Sequence, residues 1–88
     1  MELFRTKYRE FMKNVSERQW KVIKQSAEDF NQTIEQVVFN NCITVKRSEI
    51  KDYPKFYEEM IATKMVETIS RPRQETYYKL TAKGIKNL

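Results

Sequence analysis

The sequence predicts an α+β fold, mostly helical, that closes with a small antiparallel sheet. Three observations carry this prediction. Apolar residues recur at three- and four-residue spacing through most of the first forty positions, the period of helices that bury one face. Two runs of strand-forming residues, Met65–Ser70 and Glu75–Thr81, flank a short basic tip, Arg71–Gln74, which is the pattern of a hairpin. Helix-start signals punctuate the chain: Ser16 and Thr33 each precede a Gln by three residues, and Pro54 suits a first helical turn.

The first helix is expected over Glu2–Asn14, where Phe4, Tyr8, Phe11, Met12 and Val15 line one face. Arg5, Lys7, Arg9 and Lys13 lie opposite and read as a solvated face. Ser16 with Gln19 makes a capping box for a second helix, in which Trp20, Ile23, Ala27 and Phe30 form the core-facing stripe. Trp20 is read there as a core anchor. Asn31 and Gln32 interrupt the pattern, and Thr33 with Gln36 repeats the box for a third helix that buries Ile34, Val37, Val38 and Cys42. Cys42 has no neighbouring base and is expected to behave as a small buried hydrophobe.

Ile43-Thr44-Val45 is a short β-branched run and is predicted as a strand. Pro54 opens the next helix, Pro54–Lys64, and pushes Tyr53 out of helical conformation. On that helix Phe56, Tyr57, Met60 and Ile61 share one face and Lys55, Glu58, Glu59 and Ala62 the other. In the hairpin, Val66, Thr68 and Ser70 alternate with Glu67, Ile69 and Arg71, and Thr76, Tyr77 and Tyr78 are strand formers. Thr81 can cap a final helix.

Composition narrows the functional classes. Eighty-eight residues imply one domain, with a helical segment over residues 1–42 and a mixed segment over residues 43–88. So small a domain buries only roughly 60–70% of its unfolded surface, which makes a homodimer a reasonable expectation. A net charge of +5 and a pI near 9.4 suit a partner that is a polyanion. The excess is densest after residue 65, where five Lys or Arg meet two Asp or Glu.

A single Cys rules out an internal disulfide, and the lack of any His removes the commonest metal ligand and general base. With one glycine, Gly84, there is no phosphate-cradling loop either. The expectation is a protein that is not an enzyme, with no cofactor and no metal. No apolar run approaches the roughly 18 residues that cross a bilayer, and the first residues lack a signal-peptide core, so the expectation is a cytoplasmic protein without a membrane partner.

The phrase Tyr78-Lys79-Leu80-Thr81-Ala82-Lys83-Gly84 resembles the closing strand and turn of the winged helix-turn-helix superfamily, and Met60 to Glu67 resembles its recognition helix running into the first wing strand. Lys64 departs from the family pattern, which usually has Gly there. A left-handed helix exit costs about 1 kcal/mol more for other residues. The resemblance covers about the last forty residues and implies a first strand that pairs with the wing. Lys46–Lys51 then becomes a short helix with Ile50 facing in, Pro54–Lys64 the recognition helix, and the first helix an addition suited to packing across a dimer.

What the resemblance implies about function is binding to double-stranded DNA. Lys46, Arg47 and Lys51 would reach phosphates, Lys55 a phosphate or a guanine edge, and Thr63 the groove margin. Arg71, Arg73 and Gln74, around Pro72, form a stiff basic wing tip suited to the backbone or a narrow minor groove. Glu58 and Glu59 are at odds with a phosphate lattice, although a carboxylate can accept from cytosine. Two roles are open. The layout is similar to the TubR centromere-binding adaptors, which coat DNA repeats and couple plasmids or prophages to a tubulin-like GTPase filament. Small transcriptional repressors of MarR- or PadR-like type share the same motifs. Outside both stands a winged helix that docks proteins and binds no DNA.

Overall fold

The structure, a computed structural model, describes residues 2–88. It is an α+β fold, mostly helical, with one three-stranded antiparallel sheet. Contacts group the residues into two compact units, the first ending at Ile43 and the second running Thr44–Leu88.

The first unit holds α1 (Glu2–Asn14), α2 (Glu17–Asp29) and α3 (Ile34–Asn41). Both predicted capping boxes form. The Gln19 amide donates to Ser16 Oγ at 3.1 Å while the Ser16 amide donates to the Gln19 side chain at 3.0 Å. Gln36 and Thr33 repeat the exchange at 3.0 and 2.8 Å. Each box satisfies amides that a helix start otherwise leaves without a partner. The buried apolar residues here are Phe4, Ile23, Val37, Val38, Phe39 and Ile43, and Tyr8 stacks on Phe39 with ring centroids 4.9 Å apart.

Two expectations fail in this unit. Cys42 is exposed, because α3 stops at Asn41 and Cys42, its cap, takes a non-helical φ of −121° that carries it off the buried stripe. Phe39 is the buried residue instead. Phe30, expected on the core stripe of α2, is 72% exposed. The helix ends one residue before it in a Schellman turn: Gln32 donates to Ala27 O at 2.9 Å, Asn31 to Glu28 O at 3.3 Å, and Asn31 takes φ of 51°. Trp20 and Ala27 are half-buried.

The second unit holds β1 (Val45–Lys46), a four-residue 3-10 turn (Arg47–Ile50), α4 (Pro54–Ala62), β2 (Val66–Ile69), β3 (Tyr77–Leu80) and α5 (Ala82–Lys86). The sheet order is β1-β3-β2, so β3 is central, with Tyr78 opposite Val45 on one side and Thr68 on the other. The first strand therefore exists but is shifted: it is Val45–Lys46 rather than Ile43–Val45, since the pairing with β3 runs on to Arg47, whose amide donates to Thr76 O at 2.9 Å. That shift takes Lys46 out of the predicted short helix and leaves four residues for a 3-10 turn before Asp52. Ile50 faces in as expected.

The apolar face of α4 is narrower than its spacing suggests. Tyr57 and Met60 are buried, whereas Phe56 and Ile61, on either flank, are 46% and 37% exposed. Lys55, Glu58, Glu59 and Ala62 are exposed, as expected of residues off the apolar face. The rest of this unit's core is Val45, Ile50, Val66, Tyr78, Leu80 and Ile85.

The exit from α4 is the best-tied joint in the unit. Met65 donates to Met60 O at 2.9 Å and Lys64 to Ile61 O at 3.0 Å, a Schellman turn in which Lys64 takes the left-handed φ of 62° normally given to glycine. Thr81 then locks it from the far strand. Its amide donates to Met65 O at 3.0 Å, its hydroxyl donates to Lys64 O at 2.6 Å, and the same oxygen accepts from the Gly84 amide at 3.1 Å to cap α5. Gly84 sits where a Cβ would strike the Met65 carbonyl oxygen and crowd Leu80, so the only glycine is required by close approach of backbone to backbone.

Candidate nucleic-acid interface

The candidate residues lie on three regions of the second unit. The hairpin tip comes first. Gln74 donates its amide to Arg71 O at 3.2 Å across Pro72 and Arg73, and Arg73 has φ of 63°. Proline at the second position and a left-handed residue at the third are the pattern of a type II turn, whose third position favours glycine or asparagine. Arg73 occupies it at a conformational cost of about 1 kcal/mol. Arg71, Arg73 and Gln74 are all exposed, and among the described residues neither guanidinium makes an ion pair or a hydrogen bond.

Lys46, Arg47 and Lys51 surround the 3-10 turn and are exposed. Glu75, just before β3, holds this turn to the sheet by accepting from the Ser48 amide at 2.6 Å. Hydrogen bonding from Ser48, through its side chain first and its backbone second, with Lys46 nearby, keeps the Glu75 carboxyl below the usual glutamate range. The Lys46 amide is bound by the Glu49 carboxylate at 2.7 Å.

The third region is α4. Lys55 stands in its first turn and Thr63 at its C-terminal cap, at opposite ends of the helix. Thr63 is exposed, but its hydroxyl donates back to Glu59 O at 3.0 Å, and its carbonyl accepts from Lys83 Nζ at 2.9 Å. Thr63 and Lys83 therefore finish a helix terminus, the lysine charge lying at the negative end of the α4 dipole. The spacing of the sequence carried no signal of that contact, which joins residues 20 apart. Glu58 and Glu59 are both exposed.

Sequence reasoning also missed a cleft of about 280 Å³ in this unit, between the 3-10 turn and α4. Ile50, Pro54, Tyr57, Ile61 and Tyr78 supply apolar walls, and Arg47, Lys51 and Glu58 stand among them. Burial, with the Glu49 carboxylate second, raises the Tyr57 phenol above its ordinary value, so it stays neutral throughout the physiological range. Of the candidate cations, Arg47 and Lys51 share this cleft, and Lys46, Lys55, Arg71 and Arg73 do not line it.

Fold and site together define a small, mostly helical α+β protein with an exposed basic hairpin. Comparison with known proteins finds no matching family model, no matching curated protein and no matching solved structure. Among the described residues no helix is long and apolar enough to cross a membrane.

Proposed function

We propose that this chain is a double-stranded-DNA-binding protein of the winged-helix type, acting as a dimer on repeated sites in the manner of a centromere-binding adaptor for plasmid or prophage segregation. The observation that carries the DNA reading is the hairpin tip. Arg73 occupies a backbone position that glycine would take more easily, next to Pro72 and with Arg71 on the other side, and neither charge has a partner among the described residues. A strained cation at the apex of a stiff turn makes sense as a group held out for a phosphate or a narrow minor groove. The 3-10 turn adds Lys46 and Arg47, and the first turn of α4 adds Lys55.

If Lys46, Arg47, Lys55, Arg71 and Arg73 each neutralise one phosphate, the logarithm of the binding constant falls with the logarithm of salt at a slope of about −4.5 per protomer. Replacing Arg71 and Arg73 with Ala should reduce that slope to about −2.7 and weaken binding across sequences. A fluorescence-anisotropy titration against salt checks both numbers, and unchanged affinity in the double variant removes the tip from the mechanism.

The segregation role rests on the layout of the elements. It predicts cooperative binding to an array of direct repeats and capture of a tubulin-like GTPase, whereas a repressor of MarR- or PadR-like type binds one palindrome at a promoter. One observation favours a different reading, a docking surface for another protein: Glu58 and Glu59 are exposed on α4, Glu58 at the rim of the cleft, and their charge repels phosphate. On that reading no DNA of any sequence binds with a salt-dependent constant.

A further inference from the structure

Phe30 is an aromatic ring that the fold leaves outside. It caps α2, is 72% exposed, and is held there by the Schellman turn through Asn31 and Gln32. Its two preceding neighbours, Glu28 and Asp29, are exposed carboxylates, so the end of α2 is an apolar knob with an acidic collar. In the second unit the cleft between the 3-10 turn and α4 has the opposite character. Its walls are Ile50, Pro54, Tyr57, Ile61 and Tyr78, and Arg47 and Lys51 give it two positive charges against the one of Glu58. Its volume of about 280 Å³ exceeds the roughly 150 Å³ that accommodates a benzene ring in an apolar cavity.

We infer that this chain self-associates head to tail, Phe30 of one copy entering the cleft of a second copy while Glu28 and Asp29 meet Arg47 and Lys51. The occupant is a second copy because the same sequence carries both the ring with its acidic collar and the apolar cleft with its basic rim. Burying one phenyl ring removes on the order of 150–250 Å² of surface from water, and an aromatic anchor in a pocket with a charged rim is the usual anatomy of an interaction hot spot. Knob and cleft are different patches, so the contact is heterologous: the copy that docks by its knob leaves its cleft open, and the copy that receives it leaves its knob open for the next.

The inference does not depend on DNA binding, and its test contains no nucleic acid. Sedimentation equilibrium on the full chain, from about 10 μM to about 1 mM at low salt, should show a mass that climbs with concentration above the 10.7 kDa of one chain and falls back as salt screens the rim. Phe30→Ser, at an exposed position, should weaken association at least about tenfold, with an unchanged circular dichroism spectrum. Two charge-reversed proteins make the decisive comparison. Glu28→Lys with Asp29→Lys gives a basic knob facing a basic cleft, and Arg47→Glu with Lys51→Glu gives an acidic knob facing an acidic cleft. Each alone should remain at 10.7 kDa, and an equimolar mixture should associate again. A wild-type mass fixed at 10.7 kDa over the whole range overturns the inference, as does association untouched by Phe30→Ser or a mixture that fails to recover.

Discussion

Three residues show how the backbone sets limits on side-chain choice. Lys64 and Arg73 both sit at positive φ, where a Cβ costs about 1 kcal/mol, and Gly84 sits where a Cβ has no room. Lys64→Gly should therefore raise stability by about 0.5 kcal/mol at most, the relief of about 1 kcal/mol of strain being partly offset by the entropy that glycine adds to the unfolded chain. Arg73→Gly should give a similar gain and, on the proposed DNA-binding reading, lower DNA affinity, so that stability and binding move in opposite directions. Urea denaturation paired with a DNA titration measures both. Gly84→Ala should cost about 2 kcal/mol or more, because either α5 or the Met65 carbonyl must move, and the midpoint of urea unfolding should drop accordingly. Of these three positions, Lys64 was flagged by the resemblance to winged helices, in which glycine is usual there. Arg73 was legible as a basic tip but not as a strained one, because Pro72 restricts its own φ and says little about the residue that follows. Phe30 and Cys42 were misread for one reason. Both lie one step beyond the end of a helix, where periodicity still assigns a face that the backbone has already left.

At the scale of elements, local signals were the legible ones. The two capping boxes, Pro54 at the start of α4 and Thr81 at the start of α5 each involve residues within four positions of one another, and all four starts form. The boundary of β1 was shifted because it is decided by a partner about thirty residues away: Thr76 accepts from Arg47, and Glu75 accepts from Ser48. That carboxylate gives the 3-10 turn a pH dependence with a definite sign. Its folded pKa lies below the unfolded value, so its contribution to stability is complete above the ordinary glutamate pKa and is lost as pH falls through the lower, folded one. A carboxyl-detected NMR titration should find Glu75 titrating below the ordinary glutamate range, and Glu75→Gln should loosen the turn at neutral pH, seen as faster exchange of the Ser48 amide. A Glu75 that titrates in the ordinary range would mean the Ser48 contact is not kept in solution.

At the scale of the whole molecule, charge and chemistry are divided unevenly. The second unit carries ten Lys or Arg against six Asp or Glu, and residues 1–43 carry seven against six. Nearly all of the net +5 is therefore on the unit that bears the hairpin, and the DNA reading is a statement about that unit. The site itself was only partly readable. Exposed cations can be picked out from composition and turn chemistry, but the cleft depends on Tyr78 from β3 standing beside Ile50 and Tyr57, three residues that no short-range pattern brings together.

The order of the strands has a last consequence, for the time during which the chain is being made. β1 and β2 have no pairing with each other; each pairs only with β3, at Tyr77–Leu80. While the ribosome is still delivering the chain, α2 and α3 of the first unit can pair as near neighbours, but both outer strands emerge as unpaired edges. The lysine and arginine at the β1 edge and the glutamate in β2 then act as gatekeepers of the nascent chain, keeping those edges from pairing with a neighbouring polypeptide until the central strand arrives.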